Sequence, residues 1–266
     1  MAVTSNTAKQ RLLAGKPALG FQASLMRGPA VPQIARAAGY HWLCIDGEHG
    51  STSISDSVQL CIASLPAGIA PIVRARQQAL DEAARALDNG AQGVIVPNVN
   101  DAREARDMVE ALRYAPLGAR NWGANGVQFA YEVPNVAQAQ VEMDHEILLV
   151  AMIESAEGVA NASEIAATEG VDVLFIGGVD LSLGLGVPGQ FGHPRVQAAF
   201  ESVAAACRQH GKHLGMGGIY DEEWTVKYMG LGARFVAGGS DQAFVLAQAR
   251  ARARFLESCA QSSKTH

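Results

Sequence analysis

Two acids carry the clearest chemical signal in this chain. Glu154 follows the apolar run Leu148-Leu149-Val150-Ala151-Met152-Ile153, and Asp180 follows Val173-Leu174-Phe175-Ile176-Gly177-Gly178-Val179. Neighbouring parallel strands lie about 4.8 Å apart, so acids that close two adjacent strands converge on one hard cation. Other polar groups end similar runs: Asp46-Gly47-Glu48-His49-Gly50 after residues 42–45, and Arg74 after residues 70–73. One rim would thus carry two carboxylates for a metal, a guanidinium that stays charged and an imidazole. On residue type alone the assignment stays open. Solvated acids often start loops, Arg76 lies beside Arg74, and six other histidines accompany His49.

Lysine gives an independent indication. The five lysines are Lys9, Lys16, Lys212, Lys227 and Lys264, so none lies between residues 17 and 211. Schiff-base chemistry needs a lysine projecting into the site. Its absence from most of the chain favours metal-assisted chemistry.

These groups need strands to hold them. Apolar runs fall at residues 18–23, 42–45, 70–73, 93–96, 147–153, 171–176, 213–216 and 233–237, and most are separated by helical patterns such as 80–88, 102–112, 158–168, 194–209 and 222–230. The runs are continuous rather than alternating, which indicates strands buried on both faces. Eight strand–helix units in one chain predict a single (β/α)8 barrel with its site at the strand C-termini. We read residues 1–266 as one domain with a short polar tail from about residue 258. The run Gly184-Leu185-Gly186-Val187-Pro188-Gly189 satisfies G-x-G-x-x-G, yet it does not bridge a strand directly into a helix, so it is not read as a dinucleotide site.

Composition narrows the partners. With 48% hydrophobic residues the chain can bury a large core, and a net charge of −5 with scattered Lys and Arg gives no footprint for nucleic acid or an anionic membrane. Cys44, Cys61, Cys207 and Cys259 have neither metal-ligand spacing nor the density of a disulfide scaffold, which predicts a reduced, cytoplasmic protein. The first 15 residues lack the apolar core of a signal peptide, and no apolar stretch approaches the roughly 20 residues of a membrane span. A small-molecule partner is expected.

The segments Ile45-Asp46-Gly47-Glu48-His49, Val73-Arg74, Leu87-Asp88, Arg113-Tyr114, Ile153-Glu154-Ser155 and Phe175-Ile176-Gly177 with Asp180-Leu181-Ser182 together resemble the HpcH/HpaI aldolase family. The likeness runs in order through most of the chain. It implies a phosphoenolpyruvate/pyruvate-type barrel whose eighth helix packs on a neighbouring subunit, in a homo-oligomer such as a hexamer arranged as a trimer of dimers. It also implies a class II aldolase that uses Mg, Mn or Co to cleave a 4-hydroxy-2-oxo acid into pyruvate and an aldehyde. Oxaloacetate decarboxylation, a CoA-thioester lyase and a non-catalytic keto-acid binder remain as alternatives.

In the roles the resemblance implies, Glu154 and Asp180 are the metal ligands, Arg74 shares the charge developing on the pyruvate carbonyl oxygen, and His49 takes the proton from the C4 hydroxyl. Asp46 and Glu48 hold metal-bound waters. Asp88 orients the histidine; because it ends a helix that runs away from the site, it is expected to serve His49 of a neighbouring subunit. The Gly178-Val179-Asp180 turn offers the N–H groups of Val179 and Asp180 to the pyruvate carboxylate, since glycine lets main chain approach a ligand closely. The chain departs from the family pattern at Gly178-Val179, where Pro-Ala is usual, at Met152, at Gln22, where an aromatic is common, and at Asn121-Trp122. These departures bear on the substrate more than on the reaction.

Overall fold

All eight apolar runs form strands, and almost every residue in them is buried because both faces are covered. The computed structural model describes residues 2–123 and 126–262. In chain order the strands are β1 (Ala18–Ala23), β2 (Trp42–Asp46), β3 (Ala70–Arg74), β4 (Gly93–Val96), β5 (Leu148–Ile153), β6 (Val173–Gly177), β7 (His213–Gly217) and β8 (Ala233–Ser240). Each pairs in parallel with the next, and β8 pairs with β1 to close a (β/α)8 barrel. Closure puts β1 and β5 on opposite walls.

Alternate side chains divide the core into two layers. Leu43, Ile45, Leu149, Ala151, Leu174 and Ile176 point outward to the helices, whereas Trp42, Cys44, Ile72, Val150, Met152, Phe175 and Phe235 fill the interior. Trp42 and Phe235 stack with centroids 4.1 Å apart and planes 10° from parallel, and Phe175 meets Phe235 edge-on at 6.0 Å. These rings floor the barrel beneath the strand C-termini. The helix Thr7–Leu13 adds Ala8 and Leu12 to the same layer, and its cap Asn6 donates through Nδ2 to the carbonyls of Gln92 and Glu146, each at 2.8 Å.

One expectation needs correction. The helical pattern over 158–168 is two helices, Ala156–Ala160 and Ala162–Ala167, because Asn161 turns out of the helix and its Nδ2 donates to the Asn100 carbonyl at 2.8 Å. The last helix, Asp241–Ser262, is exposed along most of its length and takes in the start of the tail expected from about residue 258. Residues 263–266 lie outside the described residues. No helix among the described residues is long and apolar enough to cross a membrane.

Candidate active site

Asp46 and Arg74 end β2 and β3 as register partners. Arg74 Nε donates to Asp46 Oδ1 at 3.0 Å and Nη2 donates to Oδ2 at 2.6 Å, a bidentate pair. Asp46 Oδ1 also accepts the N–H groups of Glu48 (3.1 Å) and His49 (3.2 Å), so the acid that anchors the arginine also folds the following loop. Gly50 completes that loop because a Cβ there would lie 2.3 Å from the Asp46 carbonyl oxygen. Gln22 Nε2 donates to Asp46 Oδ2 at 3.1 Å. With its oxygens taken up by these donors, Asp46 fixes Arg74 rather than holding the waters expected of it. Burial pushes its carboxyl upward, but Arg74 outweighs that and holds it below the usual range. Burial lowers the Arg74 pKa, yet Asp46 raises it further, so the guanidinium stays charged.

Glu48 and His49 occupy the outer rim. Arg74 Nη1 lies 3.5 Å from Glu48 Oε2, and His49 Nε2 lies 3.9 Å from the same oxygen. Burial raises the Glu48 pKa while Arg74 and His49 pull it back. The His49 side chain is 68% exposed, open to proton exchange with solvent or a ligand.

Across the mouth, Glu154 follows β5 and is only 7% exposed. Its Oε1 accepts the Asn98 N–H at 2.9 Å, which Asn98 presents from a left-handed backbone (φ 52°). Burial, reinforced by Asp180 and Glu48, drives the Glu154 pKa to about 7 although the Asn98 N–H and Arg74 oppose the rise. Gly177 leaves room for this acid: a Cβ there would meet Glu154 Oε2 at 2.8 Å and Met152 Cε at 2.6 Å. Asp180 lies in the first turn of the helix Gly178–Gly184, exposed, and has no hydrogen-bond or ion-pair partner among the described residues. A desolvated carboxylate with like charges nearby, beside an unpartnered one, fits a divalent cation. Among the described residues no three His, Cys, Asp or Glu side chains gather around one point, so the chain would contribute two ligands and leave other positions to water and substrate.

Between these walls lies a cavity of about 360 Å³, whose lining includes Gln22, His49, Arg74, Gly178, Val179 and Asp180. A larger cavity of about 810 Å³ lies away from this mouth, against Arg106, Glu110, Glu164 and Glu169. The structure thus brings His49, Arg74, Glu154, Asp180 and the Gly178–Val179 turn to one mouth. Asp88 is elsewhere. It ends the helix Leu80–Asp88, and its Oδ1 accepts from Arg120 Nη2 at 2.6 Å.

Sequence reasoning missed two residues here. Asp241, 1% exposed, accepts the N–H groups of Ser24, Leu25 and Met26 through Oδ2 at 3.1, 3.0 and 2.6 Å, tying the loop after β1 to the end of β8. Tyr220, beyond β7, lines the cavity. An acid just after a strand was a signal for the first; the second had none.

A parallel barrel gathers acids, an arginine and a histidine at one mouth, the end at which (β/α)8 enzymes build their active sites. The chain belongs to the HpcH/HpaI aldolase/citrate lyase family, which matches residues 24–247. It is 36% identical over 242 residues to a 4-hydroxy-4-methyl-2-oxoglutarate aldolase of Hapsidospora irregularis, covering 89% of each chain. It is also 36% identical over 250 residues to a hydroxypyruvate/pyruvate aldolase of Pseudomonas aeruginosa, covering 94% of this chain and 92% of the relative. Among solved structures, the HpcH/HpaI aldolase from Desulfitobacterium hafniense superposes with a TM-score of 0.88 at 29% identity, covering 94% of this chain and 96% of the other.

Proposed function

We propose that the protein is a divalent-cation-dependent aldolase that reversibly cleaves a 4-hydroxy-2-oxo acid into pyruvate and an aldehyde. One observation carries this reading: a buried carboxyl raised to about 7 at Glu154, next to unpartnered Asp180, faces an arginine held in place by Asp46. Glu154 and Asp180 would hold the cation, Mg, Mn or Co, which when bound supplies positive charge beside the keto oxygen. The first-turn N–H groups of Val179 and Asp180 receive the keto-acid carboxylate. Arg74 has Nε and Nη2 bound to Asp46, and Nη1, which also lies 3.5 Å from Glu48 Oε2, shares negative charge on the keto oxygen as the C3–C4 bond breaks. His49 accepts the C4 hydroxyl proton and its exposure lets it release that proton to solvent. Names of the relatives agree, since both act on 2-oxo acids.

Asp88 belongs to this proposal only across a subunit boundary. Its place at the end of its helix, paired with Arg120, suits a role toward His49 of a neighbouring chain. The exposed last helix, with Val245, Leu246, Phe255 and Leu256 all at least 40% exposed, suits packing on that neighbour in a trimer of dimers.

The test is exchange of pyruvate methyl protons with deuterated water, followed by proton NMR. We expect exchange that is lost on EDTA treatment and returns with Mg or Mn. Folded protein that exchanges nothing with any cation refutes the reading.

A further inference from the structure

The keto-acid groups leave two polar residues of the cavity wall, Gln22 and Tyr220, unexplained. Gln22, on β1, stands across the barrel from β5, which Glu154 follows. Its amide cannot be turned freely. Nε2 donates to Asp46 Oδ2 at 3.1 Å and to Ser24 Oγ at 3.2 Å, and an ionised carboxylate only accepts, so the nitrogen is locked toward Asp46. Oε1 is therefore left over as an acceptor, and it has no hydrogen-bond partner among the described residues.

Tyr220 supplies the complementary group. It lines the same cavity from the loop after β7 while its ring is half exposed, and its hydroxyl lies within electrostatic reach of Arg74 and Cys44. Burial raises its pKa, so the phenol keeps its proton and remains a donor. The lining nearby is Cys44, Ile95, Met152, Phe175 and Ala237, and none of these offers a strong hydrogen-bonding group; the buried Cys44 thiol is a weak donor. An acceptor and a donor in an otherwise apolar wall complement an alcohol, which both donates and accepts.

We infer that Gln22 and Tyr220 are specificity-determining residues that together recognise a hydroxyl group of the substrate. This rests on the aldolase reading of the same site. The substrate class is a hydroxylated one. The alcohol lies either on C3 of the keto acid, making the donor a 3-hydroxy-2-oxo acid, or on the carbon next to the aldehyde.

The experiment compares kcat/KM for the unmodified protein, Gln22→Leu and Tyr220→Phe. Donors are hydroxypyruvate and pyruvate with one fixed aldehyde; acceptors are glycolaldehyde and acetaldehyde with pyruvate. A hydrogen bond to a substrate alcohol is worth about tenfold in this ratio. We expect both variants to lose about tenfold of the preference for the hydroxylated member of one pair. A loss confined to the donor pair places the alcohol on the keto acid, and a loss confined to the acceptor pair places it on the aldehyde. An equal fall on all four substrates in Gln22→Leu, with Tyr220→Phe unchanged, overturns the inference: Gln22 then serves only to hold Asp46 and Arg74. Unchanged ratios in both variants overturn it as well. Tyr220→Phe removes one hydroxyl and keeps the ring, so the test stays valid if Gln22→Leu folds poorly. Pyruvate methyl exchange in the unmodified protein separates the two levels. Exchange with a flat ratio sinks this inference alone, whereas no exchange removes the aldolase reading and this inference with it.

Discussion

Asp46 and Arg74 form the rigid corner of the site: two in-register strand ends joined by hydrogen bonds of 3.0 and 2.6 Å, with the acid 1% exposed. Removing one partner leaves the other buried and unpaired. Asp46→Ala is expected to cost about 3 kcal/mol of stability, read by urea unfolding, and to lower kcat at least 100-fold as Arg74 loses its fixed position. Asp46→Asn, which keeps the loop N–H acceptor but loses the charge, falls between.

Glu154 sets a pH dependence in the cation-free protein. Its folded pKa of about 7 lies above the ordinary glutamate value of 4.5, so folding favours the protonated acid. Its stabilising effect is complete below about pH 4.5 and is lost as pH rises toward 7 and beyond. The shift corresponds to an order of 3 kcal/mol. Thermal unfolding of EDTA-treated protein from pH 4.5 to 8 is expected to fall more steeply than that of Glu154→Gln, with the difference concentrated in this window. Added Mg or Mn reverses the trend, because the cation binds the deprotonated form.

Gly177→Ala drives a methyl group against Glu154 and Met152. Stability is expected to drop by about 1–3 kcal/mol. Cation affinity, measured by titration calorimetry with Mn, is expected to weaken more than tenfold as Glu154 is displaced. An unchanged affinity would show that Glu154 is not a ligand.

Asp241→Asn tests the tie between β8 and the loop after β1. The three N–H groups lose a charged acceptor, and a loss of about 2–3 kcal/mol is expected by chemical unfolding. Because the same loop follows Gln22, hydrogen exchange at Ser24, Leu25 and Met26 should accelerate while that of β4 and β5 is unchanged.

The barrel was legible because its strands are buried on both faces and therefore read as unbroken apolar runs. Rim residues were legible for the same reason: Glu154, Asp180 and Arg74 are the first polar side chains after such runs. What a rim acid does was not. Asp46 ends β2 and Asp241 follows β8, and each is defined by donors distant in sequence, Arg74 for one and Ser24 to Met26 for the other. Neither partner can be read from neighbouring residues. The break at Asn161 likewise depends on the Asn100 carbonyl, and the helix Thr7–Leu13 buries Ala8 and Leu12 in the same cluster as the ring stack.

That ring stack has a kinetic consequence. With Trp42, Phe235 and Phe175 stacked at the floor, the cavity opens at the rim where His49 sits. For the proposed cleavage, the fragment seated against the strand ends must arrive first in synthesis and depart last in breakdown. Product inhibition should then be competitive by the keto acid and mixed by the aldehyde, a queue imposed by an aromatic floor.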